Sequence, residues 1–458
     1  MPVPVTFTVV SGPGTITGGN KVTCGSSTGS VVVKATTADP SATFSSFAMT
    51  SKSLSFNVTN KQGQMIVFKQ GESGGLRDLP FSRKPIPIGR MVSSMASPTT
   101  PTNIAVSLAI VGGSSNFVEI VKEFGHHEDQ AQKIVILGAT GFIGSRVVLN
   151  LGKRQIPIVA ADLDLDQNKF KLEKKYINLG FDKNLLTFEK LDITNEENIE
   201  NLFSKYKFDC IINLAYGIGT ICEENPLLAS KINILGTTSI FEMVVKHKIR
   251  RLVFASSETV YGAKQSVFGN RPIKETDYTG IDNHHFTYGV MKLLNEFMAE
   301  KYIKKYGCSI AYTRPSVVYG YGRQNTAINW AEDFAAKPAM NKEANLPFSK
   351  NNFDNWIYVD DCAEQLVRLT LKNKLKYSAY NTGSQTVSGI ELEKTVKKMI
   401  PNATINFDES IKRTPLIDSQ DDTRIRNEIN FAPRSFYDGV KELINDTRIA
   451  NKLQPIKD

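Results

Sequence analysis

The chain has 458 residues, room for two domains, and its 41% hydrophobic and 22% charged residues are ordinary for a soluble globular protein. A formal charge of +9 invites an acidic partner, but the lysines are spread through helical stretches such as Lys169 to Lys175 and Lys301 to Lys305, where they form solvated faces. No nucleic-acid motif accompanies them, so nucleic acid is not an expected partner.

The five cysteines, Cys24, Cys210, Cys222, Cys308 and Cys362, include no Cys-x-x-Cys pair. Neither a disulfide framework nor a zinc site is expected, and free thiols in a reducing compartment are the simplest account. The N-terminal Met-Pro-Val-Pro-Val-Thr has no basic residue ahead of its apolar stretch and does not read as a signal peptide. The longest apolar run, Ile104 to Val111, is broken by Ser107 and too short to cross a bilayer. The expectation is a cytoplasmic protein with no membrane partner.

In chain order, residues 1–90 are rich in Val, Thr, Ser and Gly and read as a small β-rich domain. Strands are predicted at Val3 to Val10, Ser30 to Thr36, Leu54 to Val58 and Met65 to Phe68, with a turn at Ser11-Gly12-Pro13-Gly14. The run from Val5 to Ala42 resembles a bacterial immunoglobulin-like repeat of the kind found in surface proteins, which would imply a binding or adhesion module; an appended segment without catalytic relevance is the plainer expectation. Residues 91–132 read as a linker: Met91 to Asn103 is small, polar and proline-containing, and the segment from there to Gln132 reads either as a poorly ordered lead-in or as a helix around Asn116 to Phe124. His126-His127 lies there without further ligands and predicts a solvated loop, so no metal site is expected.

From Lys133 the pattern switches to alternating strands and helices. Ile134 to Leu137, Ile156 to Ala161, Leu186 to Leu191, Cys210 to Ala215, Leu252 to Ser256 and Ser309 to Thr313 are apolar runs separated by helical stretches. Such continuity means a parallel sheet covered on both faces.

The first strand runs into Gly138-Ala139-Thr140-Gly141-Phe142-Ile143-Gly144, a Gly-x-x-Gly-x-x-Gly at a strand-to-helix junction. Glycines let the backbone turn tightly and let a pyrophosphate approach, while the helix N-terminus offers unpaired N–H groups and the positive end of its dipole. Gly138, Thr140, Gly141, Phe142, Ile143 and Gly144 are therefore candidate cofactor-binding residues. Asp162 ends the second strand about 20 residues on. A carboxylate there accepts from both adenine-ribose hydroxyls and repels a 2′-phosphate, which favours NAD over NADP. Asp164 and Asp166 are nearby alternatives. Asp192-Ile193, after the third strand, is placed to meet the adenine, although an ordinary strand end would look the same.

Tyr288-Gly289-Val290-Met291-Lys292 is a Tyr-x-x-x-Lys in a helical segment, which puts phenol and ammonium on one helix face. A general acid/base working near neutrality needs a lowered phenol pKa, and an ammonium one turn away is expected to lower it. Ser256-Ser257-Glu258-Thr259-Val260-Tyr261-Gly262 closes a buried strand, and strand C-termini are where open α/β sheets place their sites.

Together these motifs resemble the extended short-chain dehydrogenases/reductases, also called the NAD-dependent epimerase/dehydratase family, over about 300 residues from Lys133 towards the C-terminus. Asn213-Leu214-Ala215, Asn233-Ile234-Leu235-Gly236-Thr237, Arg314-Pro315 with Tyr319-Gly320, and Trp356-Ile357-Tyr358-Val359-Asp360-Asp361 carry the resemblance further. It implies an α/β, Rossmann-type parallel sheet with helices on both faces and a small C-terminal substrate-binding subdomain, spanning residues 133–458, the substrate-binding portion mainly after 322. It also implies Ser257, Tyr288 and Lys292 as catalytic residues and Ala215 beside the cofactor. Lys292 would hold the nicotinamide ribose and tune Tyr288, Tyr288 would exchange a proton with the substrate oxygen as hydride moves, and Ser257 would fix that oxygen.

Three departures bear on the reaction. Related dehydratases carry Asp-Glu after the catalytic hydroxyl; Glu258-Thr259 here lacks the second carboxylate, which disfavours dehydration. Val317 stands where nucleotide-sugar enzymes commonly have Asn, and Asp354-Asn355 where they often have Arg-Asp, so two donors for a diphosphate are gone. Arg323 is a candidate replacement, and Arg314 a structural or cofactor-side residue. The expected activity is hydride transfer between a nicotinamide and a secondary alcohol or carbonyl. The substrate is a small molecule: a sugar or nucleotide sugar epimerised with recycled NAD, or a non-nucleotide compound oxidised or reduced. A non-catalytic NAD-binding regulator is the remaining alternative. Trp330, Phe334 and Trp356 are expected in the core, and His284-His285 in a loop. A homodimer, common among relatives, is a further expectation.

Overall fold

A computed structural model of the chain describes residues 133–323 and 328–456 together with seven N-terminal strands; the side chains of Asp166 and Gln167 fall outside the description. The chain divides into two compact units, Met1–Gln130 and Ala131–Asp458. In the first, strands Val5–Ser11, Val31–Thr37, Phe47–Thr50, Ser53–Asn57 and Met65–Phe68 pair in that order as one antiparallel sheet, and Gly14–Thr17 pairs with Lys21–Cys24 as a separate hairpin. The expected linker, the helix around Asn116 to Phe124 and His126-His127 lie outside the described residues.

The second unit is built on a seven-stranded parallel sheet. Its strands are β1 (Ile134–Leu137), β2 (Ile158–Asp162), β3 (Leu186–Lys190), β4 (Cys210–Asn213), β5 (Arg251–Ala255), β6 (Ile310–Arg314) and, after three intervening strands, β10 (Ala379–Asn381); their order is β3-β2-β1-β4-β5-β6-β10. All four side chains of β1 are fully buried, as a strand covered on both faces requires. The pleat sends alternate residues to opposite layers. Ile134 and Ile136 join one core with Val147, Val148 and Leu366, and Val135 and Leu137 join the other with Phe203, Ile240 and Phe241.

Helices α1 (Phe142–Lys153), α2 (Leu165–Asn178) and α6 (Val359–Leu371) serve the first layer, and α3 (Glu196–Lys205), α4 (Pro226–Lys246) and α5 (Thr287–Tyr306) the second. The lysines of α2 and α5 that the sequence placed on solvated faces, among them Lys169, Lys171, Lys301 and Lys304, are exposed. Among the described residues α4 is long and apolar enough to cross a membrane by length and composition alone. Here it buries Ile240, Phe241 and Val244 in the core beside the sheet, and residues Lys231–Gly236 form a π-helical turn within it. Such turns cluster at functional sites.

The remaining elements form a subdomain around β7 (Val317–Tyr319), β9 (Phe353–Tyr358) and β11 (Gln385–Ser388), paired in that order, with β8 (Ala344–Leu346) against β12 (Ile405–Phe407). Trp330, Phe334 and Trp356 pack together in its core, as expected, and Phe142 and Ile143 of the glycine turn pack against it. The glycine turn is therefore clamped between sheet and subdomain. Cys210, Cys222 and Cys362 are buried and Cys308 half-buried, all as free thiols.

Candidate active site

The glycine turn leaves no room for a side chain where a phosphate would approach. Gly138 has φ +77°, and a Cβ on it would meet the backbone of Leu214 and Ala215 at 2.8 Å; on Gly144 it would lie 2.0 Å from the Gly138 carbonyl oxygen. Gly141 precedes α1, no side chain caps that helix, and its first turn holds no acidic residue. The N–H groups and positive dipole end of α1 thus face the turn uncompensated, which suits a pyrophosphate. Gly144→Ala should destabilise the chain by about 3 kcal/mol through backbone overpacking and abolish NADH binding, read by denaturant titration and NADH fluorescence. Retention of both would show that the turn yields.

Asp162, at the end of β2, accepts at Oδ2 from the Thr140 N–H and hydroxyl, both at 2.8 Å, and at Oδ1 from the Leu163 N–H at 2.8 Å. It therefore ties the glycine turn to the strand that would present it to a ribose; Oδ2 already has two donors, and Oδ1 keeps one further acceptor site. Asp164 stands at the N-cap of α2 without a capping bond. Asp192 Oδ1 accepts from the Thr194 N–H and hydroxyl, closing a tight turn after β3, and Ile193 is buried. The Ala215 N–H donates to Asn213 Oδ1 at 3.1 Å. The donors and glycine cradle fit a dinucleotide; Gly138 to Gly144 would take its phosphates, Asp162 a ribose, Asp192-Ile193 the base and Lys292 the nicotinamide end.

Tyr288 and Lys292 lie one turn apart near the start of α5. Lys292 is buried; its Nζ donates to the Ala255 carbonyl oxygen at the end of β5 at 2.6 Å and lies 5.6 Å from the centroid of the Tyr288 ring. Ser257 is buried at the same strand end, near enough to the Tyr288 phenol for its hydroxyl to lower the phenol's pKa. Ser257 Oγ also accepts from the Thr259 hydroxyl at 2.9 Å, so Thr259 orients the serine. The structure thus brings Ser257, Tyr288 and Lys292 together.

The electrostatics differ from the sequence expectation. Burial pushes the Tyr288 phenol up to about 12, against the pull of the Ser257 hydroxyl and the Arg323 guanidinium. Burial also brings Lys292 down to about 7, opposed by Cys222 and Glu296. The ammonium is therefore not the group that lowers the phenol: desolvation acts on both, and it disfavours whichever form is charged.

Around this trio stand residues that spacing did not reveal. Glu258 is buried with one carboxyl oxygen unpartnered and within electrostatic reach of Tyr288; burial, and the nearby Asp354, raise its pKa well above the usual range. Asp354 is held by the Asn352 amide at 2.7 Å and the Thr414 hydroxyl at 2.6 Å, and burial lifts it to about 6. Arg323 donates to the Val318 carbonyl oxygen at 2.6 Å, lies over the Phe142 ring at 5.5 Å and keeps an unpartnered Nε. Tyr216, unremarked in the sequence, lies over Lys292; its only sequence signal is adjacency to Ala215. Arg314 is structural: it is fully buried and paired with Glu296 at 2.7 Å. His284 and His285 lie in the loop ahead of α5.

A parallel sheet in this order with a glycine turn at its first crossover defines a dinucleotide-binding Rossmann protein. The chain belongs to the NAD dependent epimerase/dehydratase family, whose profile matches residues 134–383, more than half of its length, and it is accordingly an NAD-dependent enzyme. Protein CapI of Staphylococcus aureus is 30% identical over 243 residues, 52% of this chain and 70% of that protein. In fold, the chain is similar to UDP-glucose 4-epimerase from Thermotoga maritima, with a TM-score of 0.60 at 21% identity, covering 70% of this chain and all of that one. L-threonine 3-dehydrogenase from Trypanosoma brucei gives a TM-score of 0.60 at 22% identity, covering 70% of this chain and 99% of that one.

Proposed function

We propose that the chain transfers hydride between NAD and a secondary alcohol or carbonyl carbon of a sugar or nucleotide sugar, using Ser257, Tyr288 and Lys292. The observation that carries this reading is the approach of the Ser257 hydroxyl to the Tyr288 phenol, one helical turn from Lys292, beside a glycine turn suited to a pyrophosphate. When bound, the nicotinamide supplies the carbon that takes or gives the hydride. Ser257 orients the reacting oxygen, Tyr288 holds or releases the proton on it, and Lys292 holds the nicotinamide ribose. Asp162 favours NAD over NADP by repelling a 2′-phosphate. The sugar substrate rests on family membership and on the likeness to a UDP-glucose 4-epimerase.

A second reading, oxidation or reduction of a compact non-nucleotide alcohol, is favoured by Glu258 and Asp354. They place two buried carboxyls close to the candidate trio, with Glu258 within electrostatic reach of Tyr288. The likeness to an L-threonine 3-dehydrogenase suits it. Incubating the full chain with NAD and, separately, UDP-sugars and small hydroxy compounds distinguishes the two. Sugar interconversion without net NADH supports the first, and net NADH from a small alcohol replaces it with the second. Binding of NADPH in preference to NADH would remove Asp162 from its role.

Two further proposals concern setting. Leu227, Leu235, Leu294 and Phe297 are exposed on α4 and α5, the two long helices on one face of the sheet, and we propose that a second copy of the chain covers them as a homodimer. A solution mass of one chain by light scattering would overturn that. The cytoplasm is the proposed location; recovery of the expressed chain in a membrane or secreted fraction would contradict it.

A further inference from the structure

Tyr216 follows directly on the Asn213-Leu214-Ala215 end of β4. Its half-buried ring lies over Lys292, with Nζ 3.2 Å from the ring centroid, and stands edge-on to the Tyr288 ring at 5.6 Å and 90°. It is held in place from two sides. The Asn295 amide, three residues beyond Lys292 on α5, donates to the Tyr216 hydroxyl at 3.2 Å and to the Asn233 carbonyl oxygen at 2.9 Å. Asn233, in the π-helical turn, grips the next residue twice: the Gly217 N–H donates to its Oδ1 at 2.7 Å, and its Nδ2 donates to the Gly217 carbonyl oxygen at 3.0 Å. The loop after β4 therefore presents the ring to the ammonium as a fixed surface.

We infer that Tyr216 is a positioning residue whose ring covers the Lys292 ammonium, keeping water from it and holding it against the end of β5. This rests on the nicotinamide reading of the site. Lys292 has three N–H donors; one is satisfied by the Ala255 carbonyl oxygen at 2.6 Å, and the ring takes one side of the group. A ring face attracts a cation but solvates it less well than water does. The other groups facing Lys292 are the Cys222 thiol, the Glu296 carboxylate and the Tyr288 phenol. Cys222 and Glu296 favour the charged form, yet burial prevails and the ammonium titrates near 7. Removing the cover should let water in and move that midpoint upward.

The test is NADH fluorescence titration of the full chain across about pH 6 to 9, with melting temperature recorded for each variant. Below the midpoint Lys292 is charged and donates to the nucleotide; above it the charge is gone, so affinity falls as pH rises. Wild type should lose affinity with a midpoint near 7, and Lys292→Ala should bind weakly without that midpoint. Tyr216→Phe keeps the ring and should keep the midpoint. Tyr216→Ala should raise it by about one unit. Should the alanine variant fail to fold, Tyr216→Leu carries the test, because an apolar cover should hold the midpoint at or below that of wild type. An unmoved midpoint in Tyr216→Ala, or a midpoint raised by a unit in Tyr216→Leu, overturns the role of Tyr216 alone. Wild type that does not bind NADH overturns the nicotinamide reading as well.

Discussion

Tyr288→Phe is expected to lower kcat by about 10²- to 10⁴-fold while NADH affinity stays that of wild type. The phenol is the group that the Ser257 hydroxyl approaches, and removing its oxygen removes the proton acceptor for the substrate hydroxyl without altering the ring that fills the space. The ring is edge-on to Tyr216, so the variant should keep its packing. Steady-state rates with whichever substrate the panel identifies, set beside NADH titration, make the comparison. Most of the activity surviving would show that proton transfer runs through another group, and Glu258 would then be the first to examine.

The expected effect of pH on the wild-type rate follows from the same burial. Burial raises the phenol to about 12, so the neutral form dominates at physiological pH, and at saturating NAD oxidation of an alcohol should speed up as pH rises from about 7 towards ~10. The folded phenol is harder to ionise than a free one. Raising pH past the free value near ~10 therefore favours unfolding, because the unfolded chain has already released that proton.

Glu296→Ala should destabilise the chain by about 3–5 kcal/mol, measured as a fall in denaturant midpoint. Arg314 and Glu296 are 1% and 4% exposed and form a two-pronged pair, Nε to Oε1 at 3.0 Å and Nη2 to Oε2 at 2.7 Å. Alanine would strand the guanidinium in a space water does not reach, and that uncompensated charge is the origin of the cost. The pair also organises the site. Glu296 Oε1 accepts from the Ser256 hydroxyl at 2.5 Å, Arg314 donates to the Tyr261 hydroxyl at 2.6 Å, and Tyr261 donates to Asn381 at 2.6 Å. Glu296 lies one turn past Lys292, so α5, which carries Tyr288 and Lys292, is registered against the ends of β5, β6 and β10 by one network. Glu296→Gln should cost less, since the amide keeps an acceptor. Equal midpoints for Glu296→Ala and wild type would mean that the pair contributes nothing to stability.

Much of this was legible in the sequence because it is local. The run Ile134 to Leu137 followed by Gly138 to Gly144 declares strand, turn and helix within a dozen residues, and the spacing of Tyr288 and Lys292 places both on one face of α5 whatever surrounds them. β10 was not legible: three residues, Ala379–Asn381, carry too little periodicity, and their strand character comes from pairing with β6. Glu258 showed as a departure from the dehydratase pattern, but not as a carboxyl facing Asp354, nearly a hundred residues away. Arg314 stood open between structural and cofactor-side roles until its contact with Glu296 decided it.

Hydrophobic continuity and glycine placement by themselves determined the sheet and the dinucleotide turn, since each depends on neighbours within a few residues along the chain, whereas the phenol, ammonium and hydroxyl were singled out by the resemblance to the family. Only the tertiary structure decided how those groups ionise and what encloses them. The ring of Tyr216 over Lys292, the carboxyl of Glu258 beside the phenol and the burial that shifts both Tyr288 and Lys292 arise where distant segments meet, and a charge responds to everything packed around it.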